Sequence, residues 1–433
     1  MWNKDRLENL SEIVSGGTPS RDVPEYWNGD IFWATPSDIT KCGTNYLSTT
    51  FEMITKAGLA RSSAKLLPVG AILLTSRATV GEVKIAKVSI CTNQGFKSLV
   101  AKNHINNIFL FYQIILNKKQ IEKFAMGSTF VEINKKDISR IEIYYPEKRE
   151  QLKIACILEK IDTAIEKTEI LIAKYEKIKQ GMMQDLFTRG VDENGQLLPS
   201  YIDAPHLYKD SPFGMIPKGW KVVTFGELIQ ENIIISIQDG NHGELHPKSV
   251  DFVNDGIPFI MANDIDNDGV IDFEHCSKIT EKLYNSLRIG FSKAGDVLLT
   301  HKGTVGRVAI VPNKINKLML TPQVTYYRLN EQCSLKAEYL YFFFRSPNYQ
   351  TILKNLSAQS TRAYIGITEQ KKLLIVLPPY PVQELIFEIL QPIDRYLQIE
   401  KINSKKLREQ KNGLMQDLLT GKVQVKLEKQ AIA

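Results

Sequence analysis

Little in this chain equips it for chemistry of its own. Its 433 residues include only 5 cysteines, widely spaced and odd in number, with no CxxC pair. That excludes a disulfide framework and the usual zinc-ribbon spacings, and it suggests reduced thiols in the cytosol. Long hydrophobic runs are missing as well. The longest purely apolar run is 339–344, and the stretch 108–116 is interrupted by Gln113. Both fall far short of the ~20 residues that a membrane span needs. The opening MWNKDRLENL is too polar for a signal peptide. No P-loop and no Ser-His-Asp or Cys-His arrangement is recognisable from spacing.

Charge of one sign is not in large excess either. The net charge is +7. Residues 1–146 contribute +5, residues 147–190 +1, residues 191–380 −1 and residues 381–433 +2. A mild positive charge serves solubility, and concentrated on the first globular part it also fits a nucleic-acid face. Charge alone decides neither, and the second globular part adds nothing to the second view.

What the chain does have is itself, twice. ILLTSRATVGEVKIA at 72–86 returns as VLLTHKGTVGRVAIV at 297–311, with 8 of 15 positions identical and no gap. GMMQDLFT at 181–188 returns as GLMQDLLT at 413–420, with 6 of 8 identical. Composition alone would match about one position in fifteen to twenty. A unit present twice is no solenoid, which needs three or more. It predicts a pseudo-twofold molecule, suited to a target with two half-sites.

Each copy has a globular half and a helical half. The globular halves open on similar segments, Trp2 to Leu10 and Trp220 to Leu228, and are rich in β-branched runs and turn residues. Segments 71–75 and 82–86 predict two strands around the turn 78–81, and 297–300 with 307–311 predict the same pair around 303–306. A basic residue stands at each turn entrance, Arg77 and Lys302. The helical halves follow Pro146 and Pro378. Steps of 4 and 3 from Ile154 give Ile154, Leu158, Ile161, Ile165, Thr168, Ile172, Tyr175, Lys179, Met182 and Leu186. The equivalent positions of the second copy include Ile386, Leu390, Ile393 and Leu397, and end at Lys411, Leu414 and Leu418. This is a heptad seam, on helices of roughly 38–40 residues and ~57–60 Å.

Both seams carry a lysine, Lys179 and Lys411, followed by a glycine, Gly181 and Gly413. A duplicated mid-helix glycine predicts a kink, a close crossing or a docking point, or else a helix that ends early. The offset between copies is 225 at the hairpin, 229 from Gln94 to Gln323, and a constant 232 along the helix. Insertions thus accumulated in the globular halves and not in the helices, the pattern of a rigid ruler with two different heads. Residues 190–220, rich in Pro, Gly, Asp and Ser, predict a surface linker, and the stretch after Gly421 a frayed tail.

Three motifs imitate chemistry. Pro378, Pro379 and Tyr380 resemble the Asp/Asn-Pro-Pro-Tyr signature of adenine methyltransferases, but Leu377 stands where the base-gripping polar residue belongs. The stretch therefore reads as a helix-entry turn. Asp264, Asp266, Asp268 and Gly269 begin like a calcium loop, yet position twelve is His275 with Glu274 one place early, so a polar loop is expected. His242 and His246 are spaced i,i+4, but Glu244 is misplaced for a zinc protease and Pro247 follows at once. No metal site is expected.

Taken together, SGGTPSR at 15–21, TSRATVG at 75–81, TNQGF at 92–96, RGVDENGQL at 189–197, KDSPFGMIPKGW at 209–220 and GLMQDLLTGKV at 413–423 resemble the DNA-specificity (S) subunit of type I restriction-modification enzymes. The resemblance covers essentially residues 1–425, and SGGTPSR alone has no clear partner in the second copy. It implies an α+β fold in which two α/β target-recognition domains are joined by two long antiparallel helices that act as a coiled-coil spacer. The segments would be recognition domain 1 at 1–146, spacer helix 1 at 147–189, a linker at 190–218, recognition domain 2 at 219–378, spacer helix 2 at 379–422 and a tail at 423–433. It further implies a non-catalytic, cytoplasmic, bacterial or archaeal subunit that reads an asymmetric, interrupted site in double-stranded DNA. Two methyltransferase subunits and motor-nuclease subunits would be its partners. Those partners, and not this chain, would bind S-adenosylmethionine, ATP and Mg. A methyltransferase-only or type II-like relative is one alternative; a coiled-coil adaptor with protein-binding heads is another.

Base edges are read by Arg or Lys on guanine and by Asn or Gln on adenine, and phosphates by cations and hydroxyls. The polar turns supply such candidates. In the first head they are Thr18, Ser20, Arg21, Lys41, Arg77, Thr79, Asn93, Gln94 and Lys97. In the second they are Asn241, Asn263, Lys302, Thr304, Arg307, Gln323 and Thr325.

Overall fold

A computed structural model describes residues 2–125, 132–242, 246–358 and 364–426. It divides into two compact units that cut across the linear segments: Met1–Ile170 with Ile402–Ala433, and Leu171–Lys401. The boundaries fall inside the two long helices, Lys148–Thr188 and Tyr380–Leu418. Each unit therefore owns one head, the first part of the helix that follows it, and the last part of the other helix.

In the first unit, strand Asn3–Arg6 pairs antiparallel with Glu142–Tyr145, which leads directly into the long helix. The main sheet has the spatial order Ser11–Ser15, Lys97–Ala101, Ile72–Leu74, Val83–Ala86, Tyr46–Leu47. A second sheet runs Glu52–Ile54, Trp27–Ala34, Ile90–Thr92. Helix Asn107–Leu116, capped by the Asn106 side chain on the Phe109 N–H, lays Phe109, Leu110 and Tyr112 on the main sheet. There they join Ile154 and Leu158 from the first long helix and Met415, Leu418 and Leu419 from the second.

The second unit repeats the plan. Lys221–Thr224 pairs with Leu374–Leu377. The main sheet runs Ile234–Asp239, Val324–Leu329, Val297–Thr300, Val308–Ile310, the same order less the fifth strand. Its other sheet runs Ser277–Ile279, Phe252–Ile260, Leu318–Leu320, Phe291–Ser292. Helix Ala337–Arg345 brings Tyr339, Phe343 and Phe344 into a core closed by Ile386 and Leu390 and by Met183, Leu186 and Phe187. The strands begin and end within a residue or two of the expected hairpins. Each turn uses left-handed backbone, at Gly303 (φ 77°) and Gly306 (φ 98°) in one head and at Ala78 (φ 63°) and Gly81 (φ 85°) in the other.

The seam divides its labour. Ile154, Leu158, Ile386 and Leu390 are fully buried against their own heads. Ile165 and Leu397 are buried further along, and Ile161 and Ile393 are half-buried. The helix segments of each unit run antiparallel. In the first unit Asp162 pairs with Lys411, and Glu169 with Arg408. In the second Lys179 pairs with Asp394, and Glu176 with Lys401. Gly181 and Gly413 neither end a helix nor mark a close crossing: both helices run on past them, and a Cβ at either would meet open space.

Two duplicated contacts bind helix to head. Gln151 is buried and accepts the Asn106 N–H at 2.8 Å, while its amide donates to the carbonyls of Pro146 (2.9 Å) and His104 (3.2 Å). Gln383, its counterpart in the second copy, accepts from Lys336 N–H at 2.9 Å and donates to Ser334 (2.8 Å) and Pro378 (3.0 Å). Pro378 and Pro379 are thus a helix entry, with the helix opening at Tyr380. At the far ends, Gly190 (φ 73°) packs on the Trp220 ring and Gly421 (φ 72°) on the Trp2 ring. The segment 190–220 is anchored rather than loose, with Val191, Ala204, Tyr208, Ile216 and Trp220 buried and the Arg189 guanidinium on the Leu198 carbonyl. The tail from residue 427 lies outside the described residues.

Replacing Gln383 by Leu strands an amide and two carbonyls in the core and should lower stability by about 2–3 kcal/mol; Gln151→Leu should do the same. Lys411→Ala, which leaves Asp162 without its cation, should cost about 3 kcal/mol. Urea titration followed by circular dichroism checks all three.

Candidate nucleic-acid interface

At one end of each main sheet three segments converge: the loop after the first strand, the hairpin turn, and the segment that leads into the strand paired with the first. In the first head Gly16 lies against Thr92 and Asn93 so tightly that a Cβ would clash with their backbone. In the second head Gly240 lies the same way against Leu320 and Thr321. This supplies the partner that SGGTPSR lacked in sequence: Ser15-Gly16-Gly17-Thr18 corresponds to Asp239-Gly240-Asn241-His242. The turn entrance is pinned alike in both. Ser76 accepts from Ile133 N–H (2.9 Å) and His301 from Ile365 N–H (3.0 Å). Arg77 bridges Glu132, and Lys302 bridges Tyr364, through the backbone.

The candidates separate by what they touch. Ser20, Lys41, Gln94, Asn263 and Lys302 are exposed. Lys41 lies 4.6 Å over the Phe51 ring and Lys302 5.9 Å over the Tyr364 ring, both rings being exposed. The Thr18 hydroxyl donates to Gln94, and Asn93 Oδ1 accepts the Gly95 N–H at 2.9 Å. Arg77, Thr79, Thr304 and Gln323 are half-buried around the turns, and the Thr79 hydroxyl has no partner among the described residues. Arg21 is held by both oxygens of Glu52 and stacks 3.7 Å from the Trp27 ring.

Four candidates face inward. Lys97 is buried beneath its hairpin, 3.6 Å from Glu132 and 3.5 Å from the Ser76 hydroxyl. Thr325 is fully buried and accepts from Gln370 at 3.0 Å. Asn241 is buried, its amide turned to the His242 carbonyl. Arg307 donates to the carbonyls of Ile265 (2.8 Å) and Ala262 (3.3 Å).

The motifs set aside as imitations have structural work. Asp266 Oδ1 accepts the N–H groups of Asp268 (2.9 Å) and Val270 (2.8 Å), and Asp268 pairs with Lys401 at 2.7 Å. The acidic loop is a brace from head to helix. Burial raises the Asp264 carboxyl above the usual carboxylate range. His246 Nδ1 lies 3.0 Å from the Asn241 carbonyl, while Glu244 lies outside the described residues.

Sequence reasoning did not single out Asp239, His301 or Tyr364, and weighed His242 only as a metal ligand. His242 Nε2 lies 2.8 Å from Asp239 Oδ2 at the tip of the second head. His301 lies beneath, 1% exposed, its ring 5.5 Å from that of Tyr364. Burial holds the His301 imidazole below the ordinary histidine range, against the pull of Asp239. The signal was available: His301 stands where the otherwise matching hairpin has Ser76.

Beyond this geometry, residues 1–174 and 217–409 match the family model described as the type I restriction modification DNA specificity domain, one match for each head with its following helix. The chain is 29% identical over 440 residues to the type I restriction enzyme MjaIX specificity subunit of Methanocaldococcus jannaschii, covering 98% of this chain and 94% of that one. It is 26% identical over 432 residues to the MjaVIII specificity subunit of the same organism, covering 98% and 93%. The fold is similar to the crystal structure of a type I restriction-modification S subunit from M. genitalium, with a TM-score of 0.60 over 97% of this chain and 96% of that one at 16% identity. Two α/β heads with duplicated topology, two long helices shared between them, and a family match across both copies lead to one conclusion: the chain belongs to the DNA specificity subunits of type I restriction-modification systems.

Proposed function

We propose that this chain reads a bipartite, asymmetric site in double-stranded DNA, one half with each head, and presents that site to two methyltransferase subunits and to motor-nuclease subunits. The observation that carries this reading is the contrast within the repeat. The heads share strand order, hairpin and pinned glycine, but their tips differ: Ser15, Thr18 and Ser76 in one stand where Asp239, His242 and His301 stand in the other. Equivalent scaffolds with different tips suit two different half-sites.

The helices support the second part of the reading. Their sequence register is constant from end to end, and both carry the same lysine–aspartate pair beside a head tyrosine. A partner that docks against one unit finds the same framework on the other. S-adenosylmethionine, ATP and Mg belong to the partners in this scheme. The chain's own share is to hold DNA in register through phosphate contacts and to choose the sequence through base contacts.

Arg77→Ala and Lys302→Ala address the hairpin turns. Each should weaken DNA binding by the complex with methyltransferase subunits and reduce the slope of log K against log salt by about one. Base preference should be unchanged if the residue holds phosphate. Gel-shift titrations between 50 and 200 mM salt provide the measurement; full binding and an unchanged slope in both variants would refute a role for the turns. Methylome sequencing of the host should show a two-part motif with unlike halves. A continuous motif would overturn the bipartite reading.

A further inference from the structure

The tip of the second head holds a side-chain system that the first head lacks. Asp239 ends its strand with only 10% of its side chain exposed, and its Oδ2 lies 2.8 Å from His242 Nε2. The His242 ring is 52% exposed, and its Nδ1 has no hydrogen-bond partner among the described residues. Gly240, between the two, is locked against Leu320 and Thr321 with no room for a Cβ. Beneath them His301 Nδ1 lies 3.0 Å from the Ile365 carbonyl, which requires the proton on that nitrogen. In the neutral ring, the form that burial favours, His301 Nε2 is a bare acceptor, 4.0 Å from Asp239 Oδ2 and without a partner among the described residues. An acceptor cannot satisfy a carboxylate, so the charge of Asp239 falls to His242.

We propose that His242 is a specificity-determining residue of the second head and reads the edge of one base in that head's half-site, with Asp239 as the positioning residue that fixes its tautomer. This rests on the bipartite reading above. A carboxylate that accepts from Nε2–H leaves Nδ1 outward as an acceptor. In the major groove an acceptor meets the exocyclic amine of adenine or cytosine, whereas guanine N7 and O6 and thymine O4 are themselves acceptors and repel it. Among the described residues, Asp239 lies 2.8 Å from the ring and the buried His301 lies beneath that pair.

The test uses the full chain in complex with its methyltransferase subunits. Competition is measured with duplexes in which each position of both half-sites is changed in turn. The wild-type complex should prefer adenine or cytosine at one position of the second half-site by about ten-fold or more. His242→Ala should reduce it to under about three-fold, with the first half-site unaffected. Asp239→Asn, which no longer dictates the tautomer, should broaden the same position. His242→Gln, which retains an acceptor, should keep the position selective. If every position of both half-sites stays within two-fold of wild type in His242→Ala and Asp239→Asn, the proposal is wrong. A wild-type complex with no positional preference in either half-site instead removes the bipartite reading, and the proposal with it.

Discussion

Each unit is organised around one carboxylate on the helix that follows its head. In the first unit Asp162 receives the Tyr112 hydroxyl at 2.7 Å and the Asn45 amide at 2.6 Å from the head, and pairs with Lys411 at 2.6 Å from the other long helix. In the second, Asp394 pairs with Lys179 and lies near Tyr341 (3.5 Å) and Arg345 (3.3 Å). Asp394 is the counterpart of Asp162 in the second copy, and Lys411 is that of Lys179. Head, own helix and partner helix thus meet at one point in both units. Burial and the neighbouring Arg345 guanidinium pull the Lys179 ammonium below its ordinary range, against Asp394. Such a pair gains little net stability over an apolar substitute, but shifting one member leaves a charge stranded, so it specifies register.

That constraint accounts for where the duplication drifted and where it did not. A residue inserted between Asp162 and Lys179, or between Asp394 and Lys411, would rotate a charge off the seam by about 100°. The helices therefore keep one offset, and the glutamine staples at their starts keep it as well. The heads answer to a looser rule. Their sheets need apolar residues and a pinned glycine, while loop length between strands is cheap to vary. The braces differ accordingly: Asn45 and Tyr46 reach the helix acids Asp162 and Glu159 in one head, and Asp268 reaches Lys401 in the other.

The outer ion pairs add a second layer of identity. Glu169 and Lys401 are equivalent positions, as are Glu176 and Arg408. Pairing between unlike helices joins Glu169 to Arg408 and Lys401 to Glu176. Pairing of either helix with its own copy would set like charges opposite each other. Exposed pairs contribute little stability, but their sign pattern discriminates between partners at little cost.

Much of this was present in the sequence because it is local along the chain. Periodicity marked both long helices, glycine and threonine marked both hairpins, and residue identity marked the repeat and the family. The seam residues Ile154, Leu158, Ile386 and Leu390 were legible as buried, but not as buried against the heads. Lys97, Thr325, Asn241 and Arg307 also ranked among the polar candidates, since residue type and turn context cannot tell a side chain that faces outward from one that faces in. Folding settles that, because the partners arrive from elsewhere: Glu132 for Lys97, Gln370 for Thr325, and the carbonyls of Ala262 and Ile265 for Arg307. Folding likewise lends each unit the end of the other's helix, and brings Asp239, His242 and His301 to one tip. The duplication, the helices and the family could be read from the chain alone, because they rest on neighbours along it. Which polar groups remain free to meet a ligand could not, because that depends on what the folded molecule packs against them.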